Sequence, residues 1–443
     1  MAEAGLFDGV LARGRVREAV GDAAWLQAML DAEAALARAS AEVGLISAAD
    51  AETIASACGA AHYDAAKLGE QAASSGNPAA PLVKALTERV PGPAAGHVHS
   101  GATSQDIVDT AAMLVAHRAL EPLLDDLEAA SAAAARLARE HRGTLLAGRT
   151  LLQQAVPVTL GLKAAGWLTG LDDAVARLRT VREERLAVQL GGAAGTLASL
   201  GDRGVDVMEA MARALGLAQP VLPWHTIRTR PAELAGALGT ACGVVAKTAR
   251  DVTLLAQTEV AEVAEGAAGG SSTMPHKRNP VAAISAAACA AQAPGLVATL
   301  LGAMAHEHER AAGSWHAEWR PFTELLRSSG SAAAWLRTCL EELEVDARAM
   351  RGNLDITGGL LLAERVSTEL APELGRMEAH EAVRRASAAG GSFAEALAEQ
   401  PEIHGRIPAE RLAELLDPSG YLGSTDVFID RALAAHDARE ASA

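Results

Sequence analysis

One short stretch combines the residue types that a mobile anion-binding loop needs. Residues 269–280 read GGSSTMPHKRNP, between segments with helical periodicity. Glycines adopt backbone conformations that other residues avoid, and their free N–H groups form concave anion nests. Asn279 followed by Pro280 is typical of a helix N-cap and first turn, which directs a positive helix end and Lys277 toward the loop. The stretch therefore predicts a lid over an anionic ligand, with a surface loop of no function as the alternative.

Three further polar segments interrupt the helical pattern. They are HVHSGATSQDIVDT at 97–110, GRTLLQQAVP at 148–157 and PWHTIRTRPAE at 223–233. Each offers hydroxyl, amide or guanidinium donors that suit a polyanionic ligand. Each also has a plain structural interpretation. Ser104 or Asp106 is expected to serve as an N-cap, and the arginines as ion pairs.

The rest of the chain predicts long helices that must position these segments. Helical periodicity covers six stretches: 21–46, 109–142, 160–190, 231–265, 280–311 and 322–351. Aromatic residues are only 3% of the chain and alanine dominates its apolar residues, which favours closely packed helices. Helices of about thirty residues span roughly 45 Å. The predicted fold is all-α, with a central long-helix bundle at 109–354, an N-terminal helical domain at 1–108 and a C-terminal one at 355–443.

Composition and charge limit the class of protein. The net charge of −16 argues against nucleic acid and anionic membranes as partners, while leaving a small anionic substrate open. The N-terminus lacks the apolar core of a signal peptide, and no strongly apolar run suggests a membrane span, so we expect a cytoplasmic protein. Four scattered cysteines, Cys58, Cys242, Cys289 and Cys339, are expected to be buried free thiols in a reducing compartment.

Residues 270–279, GSSTMPHKRN, resemble the GSSxMPxKxN signature of the fumarase/aspartase superfamily. These metal-free lyases eliminate a group β to a carboxylate. The segments at 97–110 and 148–157 resemble the other two shared regions of the superfamily. The resemblance implies three mostly helical domains in a homotetramer with a twenty-helix core, and active sites formed where three subunits meet. It implies no cofactor and no metal.

Further segments, among them NLDITGGLLLAE at 353–364, resemble one branch of that superfamily. This branch interconverts 3-carboxy-cis,cis-muconate and γ-carboxymuconolactone in protocatechuate degradation. Many superfamily members have GRTH in the second region, where this chain has Leu151 after Gly148-Arg149-Thr150. Leucine cannot donate a proton, and strongly basic leaving groups such as amines need one. A carboxylate leaves unaided, so Leu151 favours lactone chemistry.

The resemblance also implies a role for each candidate site residue. Ser271 is expected to move the proton at carbon, as an alkoxide stabilised in a closed, dry site. Lys277 and Asn279 are expected to bind the aci-carboxylate intermediate. The remaining predicted substrate-binding residues are His99, Thr103, Ser104, Arg149, Thr150, Gln154, Arg228 and Arg310.

Two alternatives remain open at the level of sequence. A relative on the same scaffold that eliminates nitrite from nitrosuccinate fits Leu151 equally well, and Ser100, Ile227 and Thr229 depart from the pattern of many relatives. A catalytically silent helical tetramer is the second alternative, which the complete 270–279 motif disfavours. His306-Glu307-His308-Glu309 resembles a metal cluster, but side chains two apart on a helix diverge, so we expect no metal there.

Overall fold

The computed structural model describes residues 5–266, 269–270, 274 and 277–441. Helices dominate this part of the chain. In chain order they are α1 (Asp8–Leu11), α2 (Val16–Ala19), α3 (Asp22–Glu42), α4 (Ala48–Ala57), α5 (Ala65–Ser75), α6 (Ala79–Arg89), α7 (Ser104–Glu140), α8 (Leu160–Thr180), α9 (Gly204–Leu215), α10 (Thr229–Leu255), α11 (Val281–Ala290), α12 (Ala293–Gly302), α13 (Ser314–Glu341), α14 (Ala347–Leu354), α15 (Ala363–Leu374), α16 (Arg376–Ala388), α17 (Phe393–Ala398), α18 (Ala409–Leu415) and α19 (Thr425–Glu440).

Short strands accompany the helices, so the fold is mainly rather than purely helical. They are β1 (Leu145–Thr150), β2 (Gln153–Thr159), β3 (Val263–Glu265), β4 (Gly269–Gly270), β5 (Arg278–Asn279) and β6 (Leu343–Val345). They pair antiparallel in three two-stranded ladders, β1 with β2, β3 with β6 and β4 with β5. The polar segment at 148–157, predicted as a loop, is therefore a β-hairpin. Its polar and apolar residues come in adjacent pairs, such as Leu151-Leu152 and Gln153-Gln154, rather than in alternation, so the sequence shows no strand pattern.

The chain divides into two compact units. The first unit comprises residues 1–128, 173–247 and 285–336, and the second comprises 129–172, 248–284 and 337–443. The unit boundaries fall within α7, α8, α10, α11 and α13. This division by compactness does not test the predicted domains at 1–108, 109–354 and 355–443, which stay a prediction.

The core of the first unit is built from small residues on long helices. In α3 the buried face includes Ala28, Leu30, Ala32, Ala35 and Leu36. Alanine combines the best helix propensity with a side chain small enough for close helix packing. The second unit has its own apolar cluster, formed by α15 to α18 around residues such as Leu370 and Phe393.

The four cysteines are buried and free, as predicted. Burial raises the pKa of the Cys58 thiol to about 12 and that of Cys242 to about 11. Thiols with such pKa values stay protonated at neutral pH, and a protonated thiol is a poor nucleophile. These cysteines therefore serve as core residues.

The predicted single helix at 280–311 is two ten-residue helices, α11 and α12, separated at 291–292. The stretch Val281–Gly302 has a mean hydropathy of 1.6 over its most apolar window, so by length and composition it qualifies to cross a membrane. Each helix alone is about 15 Å long, half of the hydrocarbon thickness of a bilayer. The stretch is only 39% buried, which leaves an apolar surface on both helices.

Candidate active site

Asp106 lies at the centre of a buried cluster in the first unit. Thr103 occupies the N-cap position of α7, and its N–H donates to Asp106 Oδ2 at 2.9 Å, one half of a capping box. The N–H groups of Gly191 and Gly192 donate to the two carboxylate oxygens, each at 2.9 Å. His225 Nε2 lies 2.6 Å from Oδ1. These contacts tie two distant segments, one at Gly191 and Gly192 and one at His225, to the start of α7, so Asp106 is more than the local cap that the sequence suggested.

A close approach explains one glycine of the first polar segment. Gly101 has φ +81°, and a Cβ there would lie 2.4 Å from Leu200 Cδ2. Only glycine fits such a position without a shift of the neighbouring side chain. The segment HSGATSQD is thereby packed against residues of 198–203, and it presents Thr103 and Ser104 at the N-terminus of α7.

Arg228 is buried between two carboxylates of the first unit. Its NH1 and NH2 donate to Asp109 at 2.7 and 3.0 Å, and its Nε and NH2 donate to Glu318 at 3.0 and 2.6 Å. Trp315 Nε1 also donates to Asp109, at 2.9 Å. Burial disfavours the charged guanidinium, but Asp109 and Glu318 outweigh burial and raise the pKa of Arg228.

Arg310 also has protein partners. Its NH1 donates to Gln105 Oε1 at 3.1 Å, and its NH2 donates to the carbonyls of Gly192 and Ala193 at 3.2 and 2.9 Å. Gln105 in turn donates to the His225 carbonyl at 2.9 Å. Arg310 therefore holds the glycine segment whose N–H groups bind Asp106. The predicted contacts of Arg228 and Arg310 with substrate stay predictions. Their hydrogen bonds to protein groups support a role of both arginines in shaping the site.

His99 is held by an acidic residue that the sequence analysis did not identify. Its Nδ1 lies 2.7 Å from Glu33 Oε1, and Glu33 is on the buried face of α3. His99 has φ +60°, a conformation that costs a non-glycine residue free energy and is enriched for histidine among such residues. Burial disfavours the imidazolium, but the hydrogen bond and charge of Glu33 and the charge of Asp106 raise the pKa of His99 overall.

The β1–β2 hairpin carries the second polar segment, in the second unit. Thr150 pairs with Gln153, which leaves Leu151 and Leu152 as a two-residue turn, with φ +51° and +64°. Asparagine and glycine are the usual residues of such a turn. The two leucines are 97% and 76% exposed. Two apolar residues that are both strained and exposed make the hairpin tip a candidate contact for a ligand or partner.

The body of this hairpin positions Arg149 and Gln154. Arg149 makes a two-pronged contact with the buried carboxylate of Glu262, at 2.7 and 2.9 Å. Asn353 Nδ2 donates to Glu262 Oε1 at 2.8 Å, and Gln154 Nε2 donates to the Asn353 carbonyl at 2.8 Å. Within the described residues, the buried Oε1 of Gln154 has no hydrogen-bond partner. Gly148 is required because a Cβ there would lie 2.7 Å from the Val156 carbonyl.

The base of the loop at 269–280 is a small ladder. Gly269 pairs with Asn279 and Gly270 with Arg278, and the helix that follows begins at Val281. The prediction of Asn279 as the N-cap of this helix is wrong. The carboxylate of Glu265 accepts hydrogen bonds from Ala282 and Ala283 at 2.9 and 2.8 Å, and so caps the helix from β3.

The loop residues themselves are only partly described. Lys277 is exposed, and Asn279 is half-buried in β5. Ser271, the predicted catalytic residue, lies outside the described residues. The predicted site residues thus fall into two groups. His99, Thr103, Ser104, Arg228 and Arg310 belong to the first unit, and Arg149, Thr150, Gln154, Lys277 and Asn279 belong to the second.

Several buried residues of these clusters escaped the sequence analysis, among them Glu33, His225, Glu262 and Glu318. One signal was available for Glu33, which lies three residues from both Leu30 and Leu36 on the apolar face of a helix. An acid at such a position is expected to have a partner. The sequence gives no signal that this partner is His99, 66 residues away.

Comparisons with known proteins give matches over nearly the whole chain. The profile of a family described as Lyase matches residues 11–295, and the profile described as Adenylosuccinate lyase C-terminus matches residues 359–432. A 3-carboxy-cis,cis-muconate cycloisomerase of Bradyrhizobium diazoefficiens is 48% identical over 96% of each chain. A nitrosuccinate lyase of Streptomyces davaonensis is 45% identical, over 99% of this chain and 96% of its own.

A solved structure gives the same picture. The crystal structure of 3-carboxy-cis,cis-muconate lactonizing enzyme from Pseudomonas putida superposes with a TM-score of 0.92 and 43% identity. The match covers 98% of this chain and 99% of the other.

Proposed function

Since the chain belongs to the lyase family of the fumarase/aspartase superfamily, we propose that it is an enzyme that interconverts 3-carboxy-cis,cis-muconate and γ-carboxymuconolactone. The observation that carries the proposal is the 48% identity to a cycloisomerase over 96% of both chains. The 0.92 TM-score to a lactonizing enzyme supports it independently through the fold.

The reaction needs one bond to oxygen and one proton at carbon. In the lactonising direction, a carboxylate oxygen of the substrate adds to the double bond, and the electron pair of that bond moves toward the adjacent carboxylate. The resulting dianionic aci-carboxylate then takes a proton at its α-carbon. In the reverse direction the α-proton is removed first, and the ring carboxylate leaves without a proton. The protein must therefore stabilise a concentrated negative charge and move one proton.

We assign the proton transfer to Ser271 on the resemblance of its motif. Lys277 and Asn279 belong to the same motif and are assigned to the aci-carboxylate. The exposed ammonium of Lys277 is compatible with binding a ligand there. Thr103 and Ser104 offer hydroxyl donors beside the positive end of α7, which attracts carboxylates.

The second unit contributes Thr150 and Gln154 to the proposal. Thr150 is exposed at the end of β1, next to the turn of Leu151 and Leu152. The Gln154 amide has two N–H donors, of which one donates to the Asn353 carbonyl, so the second is assigned to a substrate carboxylate. Arg149 is assigned an indirect role, because its guanidinium already donates two hydrogen bonds to Glu262.

The change of Leu151 to histidine tests the claim that no proton donor is needed at the hairpin tip. The Leu151→His variant is expected to fold, because histidine tolerates positive φ. Its kcat for lactone formation is expected to be unchanged or lower, because a carboxylate needs no acid to add or to leave. Steady-state assays beside a Leu152→His control check this. A clear gain in kcat for Leu151→His alone would mean that a donor had been missing.

A second candidate is elimination of nitrite from nitrosuccinate, favoured by the 45% identity to a nitrosuccinate lyase. Nitrite is also a good leaving group, so Leu151 does not separate the two. Initial rates of the purified protein with both substrates separate them, with loss of diene absorbance for one and nitrite release for the other. The proposal expects a kcat/KM for the muconate at least about 100-fold higher, a typical discrimination between substrates of different shape. The reverse order would transfer the assignment to nitrosuccinate.

The homotetramer and its twenty-helix core belong to this proposal as well. The apolar surface left on α11 and α12 supports burial against another copy, as do the exposed leucines of the hairpin tip. The resemblance to the superfamily implies active sites where three subunits of such an assembly meet. Light scattering after gel filtration is expected to give four times the chain mass of 45.4 kDa. The buried free thiols suit a reducing cytoplasm.

A further inference from the structure

The contact between Glu33 and His99 joins an acid of the helical core to the first polar segment. The side chain of Glu33 is 1% exposed and that of His99 is 18% exposed. Glu33 Oε1 lies 2.7 Å from His99 Nδ1, and within the described residues the buried Oε2 of Glu33 has no hydrogen-bond partner. A carboxylate in this environment is costly unless a positive charge compensates it. In the described structure, the group in contact with Glu33 that can carry this charge is His99.

The proton of the pair belongs on the imidazole. Histidine is the stronger base by about two pKa units in water. Asp106, from α7, adds a second negative charge that favours the imidazolium, while Glu33 acts from α3. Both charges raise the pKa of His99 and outweigh burial, which alone would lower it. Asp106 is itself bonded to His225 and to three backbone N–H groups, so its position is fixed.

The geometry also orients the ring. With Nδ1 bonded to Glu33, Nε2 is the nitrogen that remains for a ligand. The positive φ of His99 and the packing of Gly101 against Leu200 restrict the backbone on which the ring sits. The imidazole is thus held by its own backbone and by a buried carboxylate of α3. Such double support is typical of groups that must be positioned for a ligand.

We propose that Glu33 is a positioning residue for the reaction: it holds His99 as an imidazolium whose Nε2–H donates to a substrate carboxylate. The inference rests on the proposed function for the identity of that carboxylate. A tricarboxylate substrate requires several cationic donors, and Arg149, Arg228 and Arg310 are already bonded to protein groups. A charged His99 supplies one of the donors that these arginines do not.

The Glu33→Gln variant separates charge from shape. Glutamine has the size of glutamate, and its amide oxygen still accepts from Nδ1–H, so the ring keeps its orientation while the negative charge is lost. At pH 7.5 the variant is expected to raise KM roughly ten-fold, the scale of one charge-assisted hydrogen bond, with little change in kcat. The alkaline limb of kcat/KM is expected to move to lower pH, because His99 loses its proton more readily. Glu33→Asp keeps the charge and is expected to restore part of the loss.

Asp31→Asn is the matched control. Asp31 is on the same helix and pairs with Arg118 at 2.6 Å, without contact to His99. It removes one carboxylate of α3 and is expected to leave both KM and the pH profile unchanged. A loss in Glu33→Gln that appears equally in kcat and is independent of pH would show a merely structural role and overturn the proposal.

A titration that does not depend on turnover completes the test. The His99 ring signal of protein labelled with ¹³C-histidine, assigned with a His99→Gln variant, is expected to titrate at lower pH in Glu33→Gln than in the parent. An unchanged midpoint would overturn the inference even if KM rises. If the parent fails to convert the muconate, the proposed function fails, and the same titration still decides whether Glu33 keeps His99 charged.

Discussion

Replacing Ser271 with alanine is expected to lower kcat for the lactone reaction by roughly 10²- to 10⁴-fold, the usual contribution of a positioned proton-transfer group. The hydroxyl is the group assigned to move the proton at carbon, and alanine cannot do so. Because Ser271 belongs to a glycine-rich motif, thermal unfolding and oligomeric mass are expected to match the parent. Steady-state kinetics with 3-carboxy-cis,cis-muconate measure the loss.

The neighbouring hydroxyl provides the control. Ser272→Ala removes an identical group one position further along the chain. Its loss of kcat is expected to be much smaller. If Ser271→Ala keeps most of the parent activity, or if Ser272→Ala causes the larger loss, the assignment of the proton transfer to Ser271 is wrong.

The second large effect concerns stability. Arg228→Met is expected to lower the free energy of unfolding by about 3–5 kcal/mol, the cost of leaving buried carboxylates without their cation. Methionine fills part of the volume but cannot donate to Asp109 or Glu318, whose hydrogen bonds from the guanidinium are lost. Urea unfolding followed by circular dichroism measures the change.

A double variant identifies the cause of that loss. Arg228→Met combined with Glu318→Gln removes one of the two uncompensated charges while it keeps the shape of the side chain. The double variant is expected to be more stable than Arg228→Met alone, although each single change is destabilising. If the double variant is less stable than Arg228→Met alone, lost packing rather than unpaired charge dominates the loss of stability.

The mainly helical fold is predictable from the sequence, because the helical periodicity and the alanine content lie within the helices themselves, as in α3, α7, α10 and α13. The polar segments are also predictable, because glycine, proline and hydroxyl residues stand out between helices. The split of 280–311 into α11 and α12 was missed. Its signal is Pro294, which lies in the first turn of α12, where proline is typical of the start of a helix.

The hydrogen-bond partners of the polar residues could not be predicted from the sequence. Arg228 meets Glu318 across 90 residues and Gln105 meets the His225 carbonyl across 120, so no local spacing reports these contacts. The capping of α11 shows the same limit. Asn279-Pro280 has the local pattern of a helix start. The N–H groups of Ala282 and Ala283 nevertheless donate to the carboxylate of Glu265, from a neighbouring strand. Competition between a local and a distant hydrogen-bond partner is decided by the tertiary structure.

Running the reaction in deuterium oxide tests most directly whether the protein forms the lactone by proton transfer to carbon. Purified protein is incubated with 3-carboxy-cis,cis-muconate, and the product is followed by proton NMR. We expect γ-carboxymuconolactone with one deuterium at the carbon next to a carboxylate, delivered in the step assigned to Ser271. Unchanged muconate from folded protein, or a lactone without deuterium at that carbon, would contradict this expectation.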